Sequence, residues 1–210
     1  MKKWNLEFKS PDTATIKPPT RSASPSSWSP PAPNSFKLNF DGAAKGNPGA
    51  AGFGGVIRSH NGESMQVYYG TMGTDTNNAA ELEGLWKGIC LADQNHLHPL
   101  EVEGDSLILI AITKRIQAGA KAVKVAKSWR LLSRLEALEE KLHTSLNITF
   151  HHVRRTANQA ADQLANQGVS QSTPYFSGPL DTVEDAQLKQ DCISLVQKDL
   201  PSPDAGANVA

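Results

Sequence analysis

From residue 36 to about residue 170, apolar residues alternate between the two-residue period of strands and the three-to-four-residue period of helices. The pattern predicts strands at 36–40, 54–59, 64–69 and 100–103, and one that carries Leu146, Ile148 and Phe150 inward. It predicts helices at 78–94, 106–117, 122–143 and 158–166. A glycine-rich loop joins the first two strands, and Asn61-Gly62 signals a hairpin after the second. This order predicts an α/β fold with a mixed five-stranded sheet, three strands antiparallel and then two parallel, flanked by helices.

Composition changes at both ends of the patterned region. Residues 1–35 hold seven of the 13 prolines and show no apolar period, which predicts a disordered Ser/Pro-rich linker. Residues 171–210 carry two basic against six acidic side chains. We expect the segment 170–210 to be a mostly disordered acidic tail, apart from a short helix near 183–196. The folded domain is therefore predicted to span 36–169.

Cysteines and hydropathy bear on the compartment. Cys90 and Cys192 lie far apart in sequence, so neither a disulfide framework nor a zinc spacing is present. No apolar run reaches the length of a membrane span, and no secretory core follows Met1. We expect an intracellular protein, nuclear or cytoplasmic, without a membrane partner. The Ser/Pro-rich start would suit an organelle transit peptide, but its acidic Glu7 and Asp12 argue against one.

Four acidic residues are predicted to meet at one edge of the sheet. Asp41 follows the first strand and Asp105 ends the fourth. In the expected topology these strands are parallel neighbours, so their carboxyl ends lie side by side. Glu81 lies early in the first helix, and Asp162 lies in the last one. Clustered carboxylates are the ligands that Mg²⁺ prefers, so the set predicts a metal-dependent nuclease.

Each of these acids also has an ordinary structural explanation. Asp41 and Asp105 could be strand-end turn residues, which is the commonest fate of Asp-Gly and Asp-Ser pairs. Glu81 could favour the positive first turn of its helix, and Asp162 could face solvent. The functional interpretation depends on the occurrence of all four in this order, on these element types.

The motifs around the acids occur in a fixed order. They are Asn39-Phe40-Asp41-Gly42 with Lys45-Gly46-Asn47-Pro48-Gly49, Thr76-Asn77-Asn78 before Glu81, Glu103-Gly104-Asp105-Ser106, and His152-Val153-Arg154-Arg155 with Asn158 and Ala161-Asp162-Gln163-Leu164-Ala165. Together they resemble the ribonuclease H family in its plant form, which occurs alone or as the last domain of non-LTR retrotransposon polyproteins. The resemblance covers residues 36–169 and implies the ribonuclease H-like fold.

The resemblance implies endonucleolytic cutting of the RNA strand of an RNA–DNA hybrid, leaving a 5′-phosphate. The implied cofactors are two Mg²⁺ ions, about 4 Å apart, with Mn²⁺ as a substitute. Asp41 would bridge the ions, Asp162 would add to the one that activates water, and Glu81 with Asp105 would complete the other. His152 would assist proton transfer or product release, because histidine titrates near neutrality.

Seven further residues are assigned to substrate binding by the same resemblance. Gly42, Gly46 and Gly49 would let backbone amides approach a sugar-phosphate. Asn47 and Asn77 match positions that contact bases or backbone in the minor groove, where ribose 2′-hydroxyls distinguish RNA from DNA. Arg155 would bind a phosphate, and Asn158 completes the assigned set.

A basic run from residue 106 to 135 contains seven Lys or Arg and no acid. It could be a solvated helix face, or it could supply phosphate contacts, as an extra basic helix does in some relatives. The apolar stripe of helix 122–143 includes Trp129, which is therefore predicted to lie in the core.

Three functions are open from the sequence. The first is an active ribonuclease H, expected to be a monomer. The alternative is a catalytically inactive ribonuclease H-like module that binds nucleic acid or protein; the third is an integrase or a 3′–5′ exonuclease on the same fold. Retention of all four acids and His152 favours the first, while the Asn47-Pro48-Gly49 and Thr76-Asn77-Asn78 motifs argue against the third.

Overall fold

Six strands form one mixed sheet in the computed structural model, which describes residues 27–126, 128–144, 147–170 and 175–199. The strands are β1 (Phe36–Gly46), β2 (Gly49–Ser59), β3 (Ser64–Asp75), β4 (Leu100–Gly104), β5 (Ile148–His152) and β6 (Tyr175–Gly178). Their order in the sheet is β5-β4-β1-β2-β3-β6. β4 pairs parallel with β1 and with β5, and the other pairings are antiparallel. The predicted α/β fold is confirmed, with one strand more than predicted.

Helices cover both faces of the sheet. They are α1 (Asn77–Gln94), α2 (Leu107–Gln117), α3 (Ala122–Val125), α4 (Trp129–Thr144), α5 (Gln159–Ser170) and α6 (Ala186–Asp199). The larger core joins one face to α1–α4 through residues such as Leu38, Leu85 and Leu138. A smaller core joins β2 and β3 to α5 and α6. No helix in the described part of the chain is long and apolar enough to cross a membrane.

The predicted glycine-rich loop after the first strand is instead a long hairpin. β1 and β2 pair from Phe36 opposite Ser59 to Gly46 opposite Gly49, and the chain turns at Asn47-Pro48. Glycine and alanine give no apolar alternation, so the sequence pattern predicts no strand in this part of the hairpin. Their small size is needed for packing: a Cβ on Gly52 would lie 2.3 Å from the backbone nitrogen of Val169 in α5.

The predicted helix 122–143 is divided into α3 and α4. Ala126 is extended, and Ser128 directly precedes α4, with its Oγ accepting a hydrogen bond from the Arg130 N–H at 3.3 Å. The new start turns Trp129 outward, where 81% of it is exposed, so its predicted place in the core is wrong. Leu135 and Leu138 of the same stripe are buried, as predicted. Lys127 and Leu146 lie outside the described residues.

The acidic tail contains structure that composition did not predict. β6 pairs with Val67–Gly70 of β3, and the Phe176 ring stacks on Tyr69 with centroids 5.2 Å apart. Val183, Leu188 and Cys192 are buried in the smaller core. The predicted short helix near 183–196 corresponds to α6, but the described residues 175–199 belong to the folded body. The acidic side chains Asp181, Glu184 and Asp185 stay exposed, which explains the polar composition.

Residues 27–35 also extend the domain beyond its predicted start, as a strap across the sheet. Trp28 is 4% exposed, and its Nε1 donates to Asn39 Oδ1 at 2.9 Å. The Arg58 guanidinium stacks 3.9 Å from its ring centroid. Lys37 Nζ lies beside it, bonded to the Ser29 carbonyl at 2.8 Å and to Glu103 Oε1 at 2.7 Å. Without the strap, this buried polar network would face water. The rest of the predicted linker, residues 1–26, lies outside the described residues.

We expect Trp28→Phe to lower the free energy of unfolding by about 1 kcal/mol, because phenylalanine keeps a ring under Arg58 but removes one of the two hydrogen bonds to Asn39 Oδ1, which retains the Arg58 Nη2 donor at 2.8 Å. Urea denaturation would measure the change. Trp129→Phe is the matched control: the same substitution at an exposed ring should alter stability by less than about 0.5 kcal/mol. Equal effects at the two positions would contradict the role of the strap.

Candidate active site

Four elements bring the four predicted acids into one cleft. Asp41 lies in β1, Asp105 directly follows β4, Glu81 lies in α1 and Asp162 lies in the first turn of α5. Asn39 of β1 is opposite Glu103 of the parallel strand β4, so the residues two positions further along each chain remain neighbours. All four carboxylates line a cleft of about 280 Å³.

Gly42 sets the close approach of Asp41 and Glu81. A Cβ at this position would lie 2.0 Å from the backbone nitrogen of Glu81, so only glycine lets α1 pack so closely on β1. The Gly42 N–H donates to Asp41 Oδ1 at 2.8 Å. The resemblance assigns this amide to a sugar-phosphate, and in the structure it also orients the neighbouring carboxylate.

Two asparagines fix the start of α1 and the carboxylate of Glu81. Asn77 Nδ2 donates to Glu81 Oε1 at 2.8 Å, and the Asn77 N–H donates to Asn47 Oδ1 at 3.2 Å. The predicted substrate residues Asn47 and Asn77 thus connect the hairpin turn to the helix that carries Glu81. Of these two asparagines, Asn77 is among the described residues that line the cleft and Asn47 is not.

Burial and mutual repulsion make this cleft costly for negative charge. Burial, followed by the charge of Asp105, raises the pKa of Asp41 to about 8, although the Gly42 N–H opposes the shift. Burial also raises the pKa of Asp105, against the opposing charge of Arg155. The pKa of Glu81 is raised by burial and lowered in part by Ser106, yet no described residue meets hydrogen-bond geometry with its buried Oε2. A bound cation would relieve all three carboxylates.

Asp162 is held from two sides. Arg155 Nη2 donates to Asp162 Oδ1, so the predicted phosphate ligand is paired with a predicted metal ligand. Asn166, which the sequence interpretation missed, lines the same cleft and donates from Nδ2 to the Asp162 carbonyl at 2.8 Å. Its position four residues after Asp162 was the available signal, because residues at that spacing share a helix face.

His152 lies behind Asp105 at the end of β5. Its Nε2 is 3.1 Å from the Asp105 carbonyl oxygen, and it pairs with Gly104 in the sheet register. His151 points to solvent, so one histidine of the pair faces the site, as the strand alternation predicts. His152 is adjacent to the cleft rather than part of its lining.

Three predicted substrate residues have other roles in the structure. Asn158 is 1% exposed and donates from Nδ2 to the Phe40 carbonyl at 2.9 Å, so it ties the start of α5 to β1. Gly46, with φ of +99°, and Gly49 form the hairpin turn outside the cleft. A Cβ on Gly49 would lie 2.0 Å from the Lys45 carbonyl oxygen, which explains the glycine without a ligand.

The donor set fits hard divalent cations that keep part of their hydration shell. Within 27–126, 128–144, 147–170 and 175–199, no group of three or more His, Cys, Asp or Glu side chains forms a ready-made cage for a metal ion. Mg²⁺ does not need one, since it is held by one or two carboxylates, with waters and substrate phosphates as further ligands. Oxygen ligands that repel one another in an open polar cleft suit that mode of binding.

Comparison with known proteins places residues 39–168 in a family model described as reverse transcriptase-like. An Arabidopsis thaliana protein that carries the ribonuclease H name is 30% identical over 169 residues, which are 79% of this chain and 26% of that protein. Ribonuclease HI of Halobacterium salinarum is 32% identical over 131 residues, 62% of each chain. The chain therefore spans about a quarter of the first relative and less than two thirds of the second.

Solved structures of ribonucleases H are also similar to this chain. Ribonuclease H1 of Halobacterium salinarum superposes with a TM-score of 0.55 at 29% identity, over 64% of this chain and 97% of that one. LC11-RNase H1 in complex with an RNA/DNA hybrid gives 0.54 at 27% identity, over 64% and 96%. The strap and the β6–α6 segment lie outside the residues that the family model matches.

Proposed function

The chain belongs to the ribonuclease H family, and we propose that it is an endonuclease that hydrolyses the RNA strand of RNA–DNA hybrids. The observation that carries the proposal is the convergence of Asp41, Glu81, Asp105 and Asp162, from four separate elements, on one cleft. The RNA/DNA hybrid bound by LC11-RNase H1, a 27% identical relative, supports this substrate class.

The proposed cofactor is a pair of Mg²⁺ ions, with Mn²⁺ as a substitute, held by these four carboxylates. Bound there, the ions would activate the attacking water and stabilise the leaving 3′ oxygen, giving a 5′-phosphate product. The raised pKa of Asp41, about 8, supports a cation-binding role. Burial and the neighbouring carboxylates disfavour the charged form of Asp41, and a bound cation would stabilise that form.

The chain's own residues orient the substrate and move protons. His152, bonded to the Asp105 carbonyl, lies where it can shuttle a proton at the edge of the cleft. Asn77 is the cleft residue best suited to contact a ribose 2′-hydroxyl, which can donate and accept a hydrogen bond. Contacts of this kind read sugar and phosphate, so we expect no base-sequence specificity.

Cleavage of an end-labelled RNA–DNA hybrid tests the proposal. With Mg²⁺, cutting of the RNA strand alone is expected; EDTA should stop it, and matched RNA–RNA and DNA–DNA duplexes should stay intact. Fragment ends can be identified by phosphatase treatment. Binding of the hybrid by a folded sample without cutting, in either Mg²⁺ or Mn²⁺, would favour the inactive binding module instead.

The basic stretch has two kinds of cationic residue in the structure. Lys121 is paired with Glu139, and Arg134 with Asp75 and Glu83. Lys124 and Arg130 are exposed, and Arg130 lies 5.6 Å from the ring centroid of the exposed Trp129. Exposed cations beside an aromatic ring are better placed for phosphate contacts than ion-paired ones, so we propose that this corner of α3 and α4 contacts the hybrid.

Neutralising Lys124 and Arg130 together to glutamine should reduce the slope of log affinity against log salt by about 2, because each phosphate contact contributes roughly one counterion. Fluorescence anisotropy with labelled hybrid in EDTA would measure it. Lys121→Gln with Arg134→Gln removes the same charge from paired residues and should leave the slope nearly unchanged. Identical slopes for both double variants would indicate a merely solvated face.

We also propose that the protein acts as a monomer inside the cell, in the nucleus or cytoplasm. Both cysteines, Cys90 and Cys192, are free thiols, which suits a reducing compartment. Sedimentation equilibrium and fractionation of cells expressing the protein would test the two statements. A dimer, or recovery from a secreted fraction, would contradict them.

A further inference from the structure

An ion pair between Arg155 and Asp162 forms one wall of the cleft. Arg155 begins the 3-10 turn Arg155–Ala157, and Asp162 follows in the first turn of α5. The arginine side chain is 73% exposed and the aspartate side chain 30%. The guanidinium therefore stands in solvent at the cleft mouth and is free to turn toward another anion without disturbing the core.

Arg155 supplies the countercharge of the site. Among the described residues that line the cleft, it is the one lysine or arginine, facing four carboxylates. Its effect reaches beyond its partner, because its charge opposes the burial that raises the pKa of Asp105. The guanidinium therefore neutralises part of the negative charge that a bound cation would otherwise neutralise.

Arg155 and a cation compete for the same carboxylate. Asp162 Oδ1 accepts the arginine hydrogen bond, so a cation that uses this oxygen must displace the guanidinium. A nucleic-acid phosphate offers the guanidinium a second partner, with two parallel hydrogen bonds. Exposed ion pairs contribute little to stability, so the exchange of one partner for the other costs little.

We propose that Arg155 couples hybrid binding to cation binding by exchanging Asp162 for a backbone phosphate. The proposal rests on the proposed function. Without nucleic acid, Arg155 pairs with Asp162 and weakens cation binding there. A bound hybrid draws Arg155 to its phosphate and releases Asp162, and by linkage a bound cation releases Arg155 for the phosphate. The full set of four carboxylates then becomes available mainly when substrate is present.

Two equilibrium measurements on Arg155→Gln test the exchange without any turnover. Mn²⁺ binding to the protein alone, followed by electron paramagnetic resonance, should become about threefold to fivefold tighter, because the competing cation is gone. Hybrid binding in EDTA should become roughly tenfold weaker, because a charge-assisted phosphate contact is lost. A purely structural role for Arg155 would weaken both, so the opposite signs are the diagnostic result.

Arg154→Gln is the matched control, since Arg154 directly precedes Arg155 and is also exposed, but it is not among the described residues that line the cleft. It should leave Mn²⁺ affinity within about twofold of the unsubstituted protein, the scatter expected of a surface charge. Arg155→Lys keeps the positive charge but cannot form the paired hydrogen bonds of a guanidinium. It should return the Mn²⁺ affinity to the weaker value of the unsubstituted protein, without recovering the full affinity for hybrid. Unchanged or weaker Mn²⁺ binding by Arg155→Gln overturns the coupling. An unsubstituted protein that binds neither Mn²⁺ nor hybrid overturns the proposed function itself.

Discussion

Asp41→Asn is expected to lower the rate of RNA-strand cleavage by more than about a thousandfold while leaving hybrid binding largely intact. Asp41 lies at the centre of the carboxylate set: its pKa is affected by Asp105, Glu81 and Asp162 alike. An amide of the same shape keeps an oxygen but loses the charge that would hold divalent cations. Single-turnover cleavage of labelled hybrid in Mg²⁺ measures the rate, and anisotropy in EDTA measures binding.

The same substitution should stabilise the fold in EDTA. An aspartate has an ordinary pKa of 3.8, and the folded chain raises that of Asp41 to about 8. The folded state therefore binds the proton more tightly than the unfolded state, so stability is lost as pH rises from about 4 to about 8. At pH 7, Asp41→Asn should recover roughly 2–4 kcal/mol and flatten this pH dependence. Thermal melts at pH 5, 7 and 9 would measure both effects.

Asp181→Asn makes the same chemical change at an exposed carboxylate outside the cleft. It should alter stability by less than about 0.5 kcal/mol and leave cleavage unchanged. Cleavage retained by Asp41→Asn would remove the basis of the four-carboxylate assignment. A less stable Asp41→Asn protein would instead show that the carboxylate charge is compensated in the fold.

The convergence of the acids could be predicted because it needs only short-range information. Asp41 comes directly after the predicted strand 36–40, which the structure continues to Gly46, and Asp105 directly follows β4. The parallel pairing of these two strands follows from the order of elements. Glu81 lies one turn into a helix whose start is marked by Thr76, which accepts a hydrogen bond from the Ala79 N–H at 3.3 Å. Local sequence signals of this kind survive into the folded structure.

Roles that depend on distant partners could not be predicted. Asn158 resembles a substrate residue in sequence, yet its amide reaches Phe40, 118 positions away, and is buried by that contact. Trp28 lies in a segment that reads as a linker, and its burial depends on Arg58 and Asn39 of two different strands. Nothing in the neighbouring residues records either contact.

Capping and composition explain the remaining differences. Trp129 fits the apolar stripe of one continuous helix, but the cap at Ser128 restarts the helix and rotates the ring into solvent. In the segment 175–199, the exposed acids Asp181, Glu184 and Asp185 alternate with the buried Val183, Leu188 and Cys192, so the acidic composition obscures a short apolar face. Periodicity detects long regular elements and misses short ones.

Gly42→Ala is expected to lower the free energy of unfolding by more than about 3 kcal/mol, although it adds a single methyl group. The added Cβ would lie 2.0 Å from the Glu81 nitrogen and 2.3 Å from the Ala80 carbonyl carbon. Both are backbone atoms, so no side-chain rotation relieves the contact, and α1 must move away from β1. That movement separates Glu81 from Asp41, so cleavage by any folded fraction should fall as well.

Gly119→Ala distinguishes collision from backbone strain, because Gly119 has a φ of +95° but no atom within 4 Å of an added Cβ. It should cost about 1 kcal/mol and leave cleavage unchanged, since Gly119 is not among the described residues that line the cleft. Urea denaturation compares the two variants directly. Similar losses of stability in the two alanine variants would show that tight packing of α1 on β1 does not hold Asp41 and Glu81 together. A much larger loss in Gly42→Ala would show that the geometry of the site depends on the absence of a side chain at Gly42.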